Sequence, residues 1–251
     1  MLGNSWVTVL SINVNKIALL RNSRGRDFPN VLKYVEQALQ LGVKGITVHP
    51  RPDERHITRR DVFEISEYLG AYPDVEFNVE GYPSTEFLDL VYSVSPAQAT
   101  LVPDEPGQLT SDHGWDVAAN EAMLFDVLER LRDSGVRSSL FIDPSVTAIE
   151  QVPAVNADRV ELYTGEYAAN FATSAEEDVF NRYLAAANRA TELGIGLNAG
   201  HDLDLSNLLR FLEIPNILEV SIGHALVMES LQDGISSVIN RYLAITSQLD
   251  S

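Results

Sequence analysis

The stretch NVLKYVEQALQLGVKGITVH (residues 30–49) joins an amphipathic helix to a short β-strand. Residues 30–41 recur at helical spacing and stop at Gly42; residues 45–49 (GITVH) are a β-rich run. The same pairing repeats along the chain. β-rich runs occupy 7–14, 45–49, 75–80, 98–102, 138–142, 159–164, 194–199 and 217–222. Further helices are expected at 118–133, which stops at Ser134-Gly135, and at 174–193, with Ser174 as N-cap and Gly194 after its end. Two more are expected at 203–213, beginning at a possible cap in Asp204, and at 227–248. Eight strands alternating with helices in 251 residues predict parallel βαβ units closed into a (β/α)8 TIM barrel, one α/β domain spanning residues 1–251. No Gly-x-Gly-x-x-Gly follows the first strand, and Gly194, Gly196 and Gly200 have the wrong spacing for a dinucleotide loop. There is no Walker A motif, no His-Glu-x-x-His and no Pro/Ser/Gly-rich linker.

The chain is acidic, with 36 Asp and Glu against 18 Lys and Arg and a net charge of −18. That balance argues against a general nucleic-acid binder, because a phosphate backbone would be repelled over most of the surface. With no cysteine there is no disulfide, thiolate metal site or thiol nucleophile. No apolar run approaches the ~18 residues that span a bilayer, and no basic segment precedes an apolar stretch at the N-terminus. The expected location is therefore the cytoplasm, with no membrane partner. The charge is uneven. Residues 1–60 carry ten basic and four acidic side chains; the remainder carries eight and 32.

In a barrel of this kind, working groups come from the C-terminal ends of strands and the loops that follow. Those positions hold Asn13, Asn15 and Lys16; His49 and Arg51, with Arg55 and His56 beyond; Glu80; Asp104, with Thr110 and Ser111 in its loop; Asp143; Thr164; Asn198, Gly200 and His201; and Gly223-His224. Glu161 lies within the sixth strand. Four of the five histidines fall at or just after strand ends, and His113 lies deeper in a loop. Glu80 and Glu161 are either partners for arginine or general bases with raised pKa. Asp104 and Asp143 read as loop or cap residues, Arg59 and Arg60 as surface charges. A metal held by His49, Glu80, His201 and His224 ranks second, because no short-spaced ligand pair lies on one element. A Schiff-base lysine is disfavoured: Lys33 and Lys44 lie in or after a helix, and Lys16 sits among cations.

The cations point to phosphate. Lys16, Arg21, Arg24 and Arg26 occur with no acid among them, and Arg51 and Arg55 follow the second strand. Arginine grips phosphate bidentately, and glycines such as Gly200 and Gly223 let backbone N–H groups approach an anion. The competing reading is that these arginines are solvated, or pair with the acidic remainder.

Taken together, seven stretches resemble the pyridoxine 5′-phosphate synthase family of deoxyxylulose-dependent vitamin B6 biosynthesis, in the branch with an Asn-Lys pair at 15–16. They are NVNKIALLRNSRG (13–25), GITVHPRPDERHI (45–57), EFNVEGYP (76–83), TLVPD (100–104), RVELYTG (159–165), LNAGHD (197–202) and SIGHA (221–225). The resemblance runs from about residue 10 to about residue 243, and many family members have Asp-His where this chain has Asn15-Lys16. It implies condensation of 3-amino-2-oxopropyl phosphate with 1-deoxy-D-xylulose 5-phosphate to pyridoxine 5′-phosphate, phosphate and water, without metal or cofactor. It implies His49 and Glu80 as proton acceptors, His201 as donor and Glu161 as the stabiliser of a charged intermediate. Asn13, Arg24, Asp202, Gly223 and His224 match contacts to the amino-ketone phosphate. Asn15, Lys16, Arg51, His56 and Ser111 match contacts to the deoxyxylulose phosphate, a role that Thr110 can share. The family commonly forms octamers, so a homo-octamer is expected by resemblance. The alternatives are another phosphosugar isomerase or epimerase of barrel type, and a non-catalytic phosphometabolite-binding protein.

Overall fold

A computed structural model describes residues 8–104, 107–108 and 110–247. In chain order its elements are β1 (Val9–Asn13), α1 (Asn15–Asn22), α2 (Val31–Gln40), β2 (Gly45–Val48), α3 (Arg59–Leu69), β3 (Glu76–Gly81), α4 (Thr85–Val94) and β4 (Gln98–Leu101). There follow α5 (Glu121–Asp133), β5 (Arg137–Ile142), α6 (Val146–Gln151), β6 (Arg159–Tyr163), α7 (Gly165–Asn170) and α8 (Glu176–Glu192). β7 (Gly196–Gly200), α9 (Leu208–Phe211), β8 (Ile217–Ile222), α10 (His224–Asp233) and α11 (Ile235–Ser247) complete the chain. Each strand pairs in parallel with the next, and β8 closes on β1, so the expected barrel is the observed fold. No helix among the described residues is long and apolar enough to cross a membrane.

Every expected strand forms, within two residues of its expected ends; residue 7 of the first run lies outside the described residues. The helices differ more. The expected cap Ser174 does not cap: α8 begins at Glu176, with Ala175 at the N-cap position and no side-chain bond there. The 118–133 helix starts only at Glu121. Of 203–213 only Leu208–Phe211 is helical, because Asp204 turns the chain first, its Oδ1 accepting from the N–H of Ser206 and of Asn207. The segment 227–248 is two helices. Gly234, at φ +77°, takes a left-handed step that ends α10, and α10 itself begins earlier, at His224.

The strands sort their side chains by parity. Leu10, Ile12, Ile46, Val48, Val79, Leu101, Leu140, Ile142, Val160, Leu162, Val220 and Ile222 are buried in the layer between sheet and helices. The alternate positions face the barrel axis, and most of them are polar. Ser11 Oγ and Thr47 Oγ1 share a hydrogen bond of 2.7 Å, and Asn78 Nδ2 donates to Thr47 Oγ1 at 3.4 Å. Thr100 Oγ1 donates to Asn78 Oδ1, 3.0 Å away. Asn198 Nδ2 reaches from β7 across the barrel to Gln98 Oε1 on β4 (3.2 Å). Nearer the N-terminal ends, Arg137 pairs with Glu76, and Arg159 Nη1 donates to Asn198 Oδ1 (3.0 Å).

One cation of the expected phosphate-binding set is spent on the fold. Arg21, on α1, clamps Asp61 bidentately. Asp61 is also the N3 residue of a capping box with Thr58, and so starts α3. Burial alone would raise the Asp61 carboxyl, but Arg21 and Thr58 outweigh it and hold it below its usual range. Its stabilising contribution is therefore present at neutral pH and is lost as pH falls below about 4 toward the depressed folded value. Asp61→Ala should cost about 2–3 kcal/mol at pH 7, since it removes a cap and a charge-assisted pair, and the difference should shrink at low pH. Urea denaturation at two pH values measures this; a cost below ~0.5 kcal/mol at pH 7 would contradict it.

Candidate active site

The C-terminal mouth of the barrel is a ring of loops tied to one another. Asn13 ends β1, and its Oδ1 accepts from the N–H of Asn15 at 3.0 Å. Asn15 Oδ1 in turn accepts from the N–H of His49 (2.9 Å), which pins the end of β2. Lys16, half-buried on α1, forms no ion pair among the described residues and helps to hold His56 uncharged. The rings of His49 and His56 meet edge-on, 6.3 Å apart. His56 Nδ1 accepts from the N–H of Ile57 (2.9 Å), so its proton in the neutral form lies on Nε2.

Arg51 is buried, and its Nη2 bonds Asp104 Oδ2 at 2.5 Å. Ser111 Oγ donates to the same oxygen (2.7 Å). Asp104 lies in the loop after β4, as expected, but buried: it anchors the arginine, and its Oδ1 has no partner among the described residues. A buried orphan acceptor of this kind is what a bound hydroxyl or water satisfies. Ser111 is held inside this trio. Its neighbour Thr110 instead meets His201, Oγ1 to Nε2 at 2.7 Å. His201 Nδ1 lies 3.0 Å from Asp202 Oδ2, and Tyr163 packs edge-on against the imidazole. His201 and Asp202 both have left-handed backbone, at φ +89° and +56°, which non-glycine residues rarely adopt. Thr164 secures the turn by donating to the carbonyl of Gly200 (2.7 Å). His224 opens α10 close enough to Asp202 to favour its carboxylate form, behind the influence of His201.

Below this ring lie the carboxyls. Glu80, Glu161 and a residue that the sequence reading passed over, Glu219, are all buried, and no described residue donates a hydrogen bond to any of the three. Burial, then Glu219 and Asp104, push Glu80 up to about 8. Burial, with Glu80 and Glu219, raises Glu161 well above the usual range. Burial and Glu76 bring Glu219 to about 7, against the pull of Arg159 and Arg137. Burial, then Arg51 and His56, depress His49 far below its ordinary value. The 3.8 Å approach of His49 Nδ1 to Glu80 Oε2 therefore joins two neutral groups at pH 7, not an ion pair.

The two glycines expected to cradle an anion do different work. A Cβ on Gly200 would stand 2.2 Å from Glu161 Oε1, so this glycine makes room for the carboxyl. Gly223 is packed on Asn13, where a Cβ would come within 3.1 Å. It also leaves the N-cap of α10 without a side chain, so the first-turn N–H groups face the mouth uncapped. Arg24 is not brought to these residues: it is exposed after α1, and its side chain pairs with none of the described residues. Arg55 pairs with Asp53. Arg59 and Arg60 are exposed surface charges as expected: Arg59 Nη1 donates to the Glu86 carbonyl at 3.0 Å, and Arg60 pairs with Glu64 on α3. A cavity of about 1210 Å³ opens beside His49 and Arg51, with Tyr82 and Trp115 in its wall. Among the described residues no group of three or more His, Asp and Glu is arranged to hold a metal ion.

Solved structures with the same architecture include a protein of Aquifex aeolicus VF5, with TM-score 0.65 and 14% identity over 97% of this chain and 94% of that one. Another is phosphoribosyl anthranilate isomerase of Thermotoga maritima, with TM-score 0.58 and 10% identity over 95% and 98%. At such identities they speak for the fold alone. The family model described as pyridoxal phosphate biosynthesis protein PdxJ matches residues 10–248. The chain belongs to this family. A relative from Leptospira biflexa, named pyridoxine 5′-phosphate synthase, is 48% identical over 96% of this chain and 98% of its own. One of the same name from Bacteroides thetaiotaomicron is 49% identical over 94% and 98%.

The electrostatics of the mouth give a direct check. His56 is brought to about 4 by burial and by Arg51 and Arg55. His56 should therefore stay uncharged from pH 8 down to about 5, and His49, also held well below its ordinary value, should stay uncharged at pH 6. Imidazole 15N shifts report this; protonation of either ring at pH 6 would refute the burial and charge arrangement described.

Proposed function

We propose that this chain is a pyridoxine 5′-phosphate synthase that joins 3-amino-2-oxopropyl phosphate to 1-deoxy-D-xylulose 5-phosphate and releases pyridoxine 5′-phosphate, inorganic phosphate and water. The observation that carries the proposal is one mouth holding buried His49, Glu80 and Glu161, and His201 beside Asp202, between a buried arginine and an uncapped helix N-terminus. Membership of the family and the names of its relatives agree with it.

The chemistry is a sequence of proton transfers: amine addition to a carbonyl, dehydration, phosphate loss and ring closure. Groups that exchange protons near neutrality serve such steps best. His49, uncharged, has a lone pair free to take a proton. Glu80, poised near 8, holds one that it can give and regain. The protonated Glu161 can shed its proton to face a cationic intermediate. His201, oriented by its contact with Asp202, is the proposed proton donor. The substrates supply the amine and the carbonyls, so no enzyme lysine is needed.

Two phosphates need two cradles. The first is the α10 N-terminus at Gly223-His224, with Asn13 and Asp202 beside it; its open N–H groups and helix dipole suit an anion. The second is Arg51 with His56, Lys16, Asn15 and Ser111, which shares Asp104 with Arg51; Thr110, bonded to His201, can share the role. Arg24, exposed and unpaired among the described residues, is free to contact the amino-ketone phosphate. We propose a homo-octamer in the cytoplasm; sedimentation that returns only monomer would count against that assembly.

Purified chain given both substrates should release phosphate and form pyridoxine 5′-phosphate, and a chelator should not abolish turnover. Metal-dependent turnover of a single phosphosugar would favour an isomerase or epimerase instead, and saturable binding without turnover a binding protein. His49→Ala, Glu80→Gln and His201→Ala should each fold and lose about 10²–10⁴-fold in kcat. Near-wild-type rates in all three would overturn the site.

A further inference from the structure

Glu219 has no place in the roles just assigned, yet it lies among the residues that carry them. Glu161, Asn198 and Glu219 are consecutive register partners on β6, β7 and β8. Register partners face the same side of a sheet, and Asn198 demonstrably faces inward, since it bonds Gln98 across the barrel. Neighbouring strands lie about 4.8 Å apart, so the Glu161 and Glu219 backbones stand roughly 10 Å apart with both carboxyls in one interior. The glycines of β7 clear the space between them. Gly200 admits the Glu161 carboxyl; Gly196 admits Arg159, whose Cγ a Cβ there would approach to 2.8 Å. Arg159 then reaches Asn198 Oδ1 at 3.0 Å and stands 3.8 Å from Glu219 Oε2.

As a structural element this is poor. Glu219 is 2% exposed and accepts no hydrogen bond from a described residue. Its cation is 3.8 Å away and also serves Asn198. An apolar side chain of similar volume would generally be as stable or more so. What an apolar residue cannot supply is charge.

We propose that Glu219 is a positioning residue of the reaction: its carboxylate, held by Arg159 beneath Glu80 and Glu161, sets how many protons those two carboxyls share. The proposal rests on the reading of Glu80 and Glu161 as acid–base groups of the synthase. Like charges in a low-dielectric interior do not all ionise, so the three titrate as a cluster. The charged groups facing Glu219 are Glu76 and Glu80 from β3, Arg137 from β5, and Arg159 and Glu161 from β6. Its register partners on the flanking strands, Val9 and Asn198, carry no charge. Glu80 additionally faces His49, Arg51 and Asp104.

Carboxyl 13C NMR on the full chain tests this without substrate. In Glu219→Gln, the titration midpoints of Glu80 and Glu161 should fall by about one pH unit. By reciprocity, Glu80→Gln should lower the Glu219 midpoint by a similar amount. In the synthase assay, the limb of the kcat–pH profile set by these carboxyls should move down with them, changing the rate on that limb about tenfold, and Glu219→Asp should restore it. Midpoints unmoved in both variants would overturn the proposal, and so would shifted midpoints with an unmoved limb. If Glu219→Gln does not fold, the Glu80→Gln arm decides alone. Wild-type inactivity with shifted midpoints counts against the synthase reading, not against the coupling.

Discussion

The hydrogen bond from Asn198 to Gln98 spans the barrel, and the polar interior that it belongs to constrains everything above it. Barrels of this fold usually fill their axis with branched aliphatic side chains. Here Ser11, Thr47, Asn78, Thr100, Gln98, Asn198 and Arg159 occupy inward positions and bond one to the next. A buried polar group without a partner costs about 1–3 kcal/mol, so each member restricts its neighbours. Asn198 donates to Gln98 and accepts from Arg159; Arg159 needs the gap at Gly196. The alternation Gly196-x-Asn198-x-Gly200 is thus a packing requirement of the network, and the gap at Gly200 lets Glu161 rise toward the mouth.

That constraint explains which parts of the molecule were legible in the amino-acid sequence. The strands were legible because their outward residues, such as Leu10, Ile46, Leu140 and Val220, make short apolar runs wherever the chain crosses the barrel. The inward residues were legible only at strand ends, where His49, Glu80 and His201 are conspicuous. Glu219 was missed because it sits mid-strand in ILEVSI, and only its parity marks it as inward. Asp104 lies in a loop as expected, but its pairing with Arg51 was not legible, because the two are 53 residues apart, a distance at which no local pattern pairs an acid with a base. Helices α1 and α4 escaped because strand ends run straight into them. For α3, Thr58 and Asp61 supply the start signal, but Arg21, which secures it, comes from another unit.

The arginines of the basic first quarter have divided fates. Arg21, Arg55 and Arg60 pair with nearby acids, as the competing reading of the cations held. Arg51 pairs with Asp104 too, yet remains inside the mouth with its charge in place. A buried arginine held by one carboxylate is preorganised: its side chain is already immobilised, so an anion that joins it does not bear that ordering cost. Asp104 also limits the strength of the grip, since it competes with the anion for the same guanidinium. Loose Arg24 and fixed Arg51 are therefore different instruments, one adaptable and exposed, the other rigid and desolvated.

The net charge of −18 takes on a different meaning inside the barrel. Glu80 is raised to about 8 by burial, Glu219 and Asp104, Glu161 well above the usual carboxylate range by burial, Glu80 and Glu219, and Glu219 to about 7. The formal count therefore overstates the negative charge where the substrates are proposed to sit. Two phosphorylated molecules could not approach three ionised carboxylates, but they can approach carboxylic acids beneath a ring of His, Lys and Arg. The same protonation supplies the acids that the proposed condensation consumes. Excluding water thus keeps the cluster neutral enough for anions to enter and acidic enough to act on them, and one buried cation, Arg159, keeps Glu219 from going fully neutral with the rest.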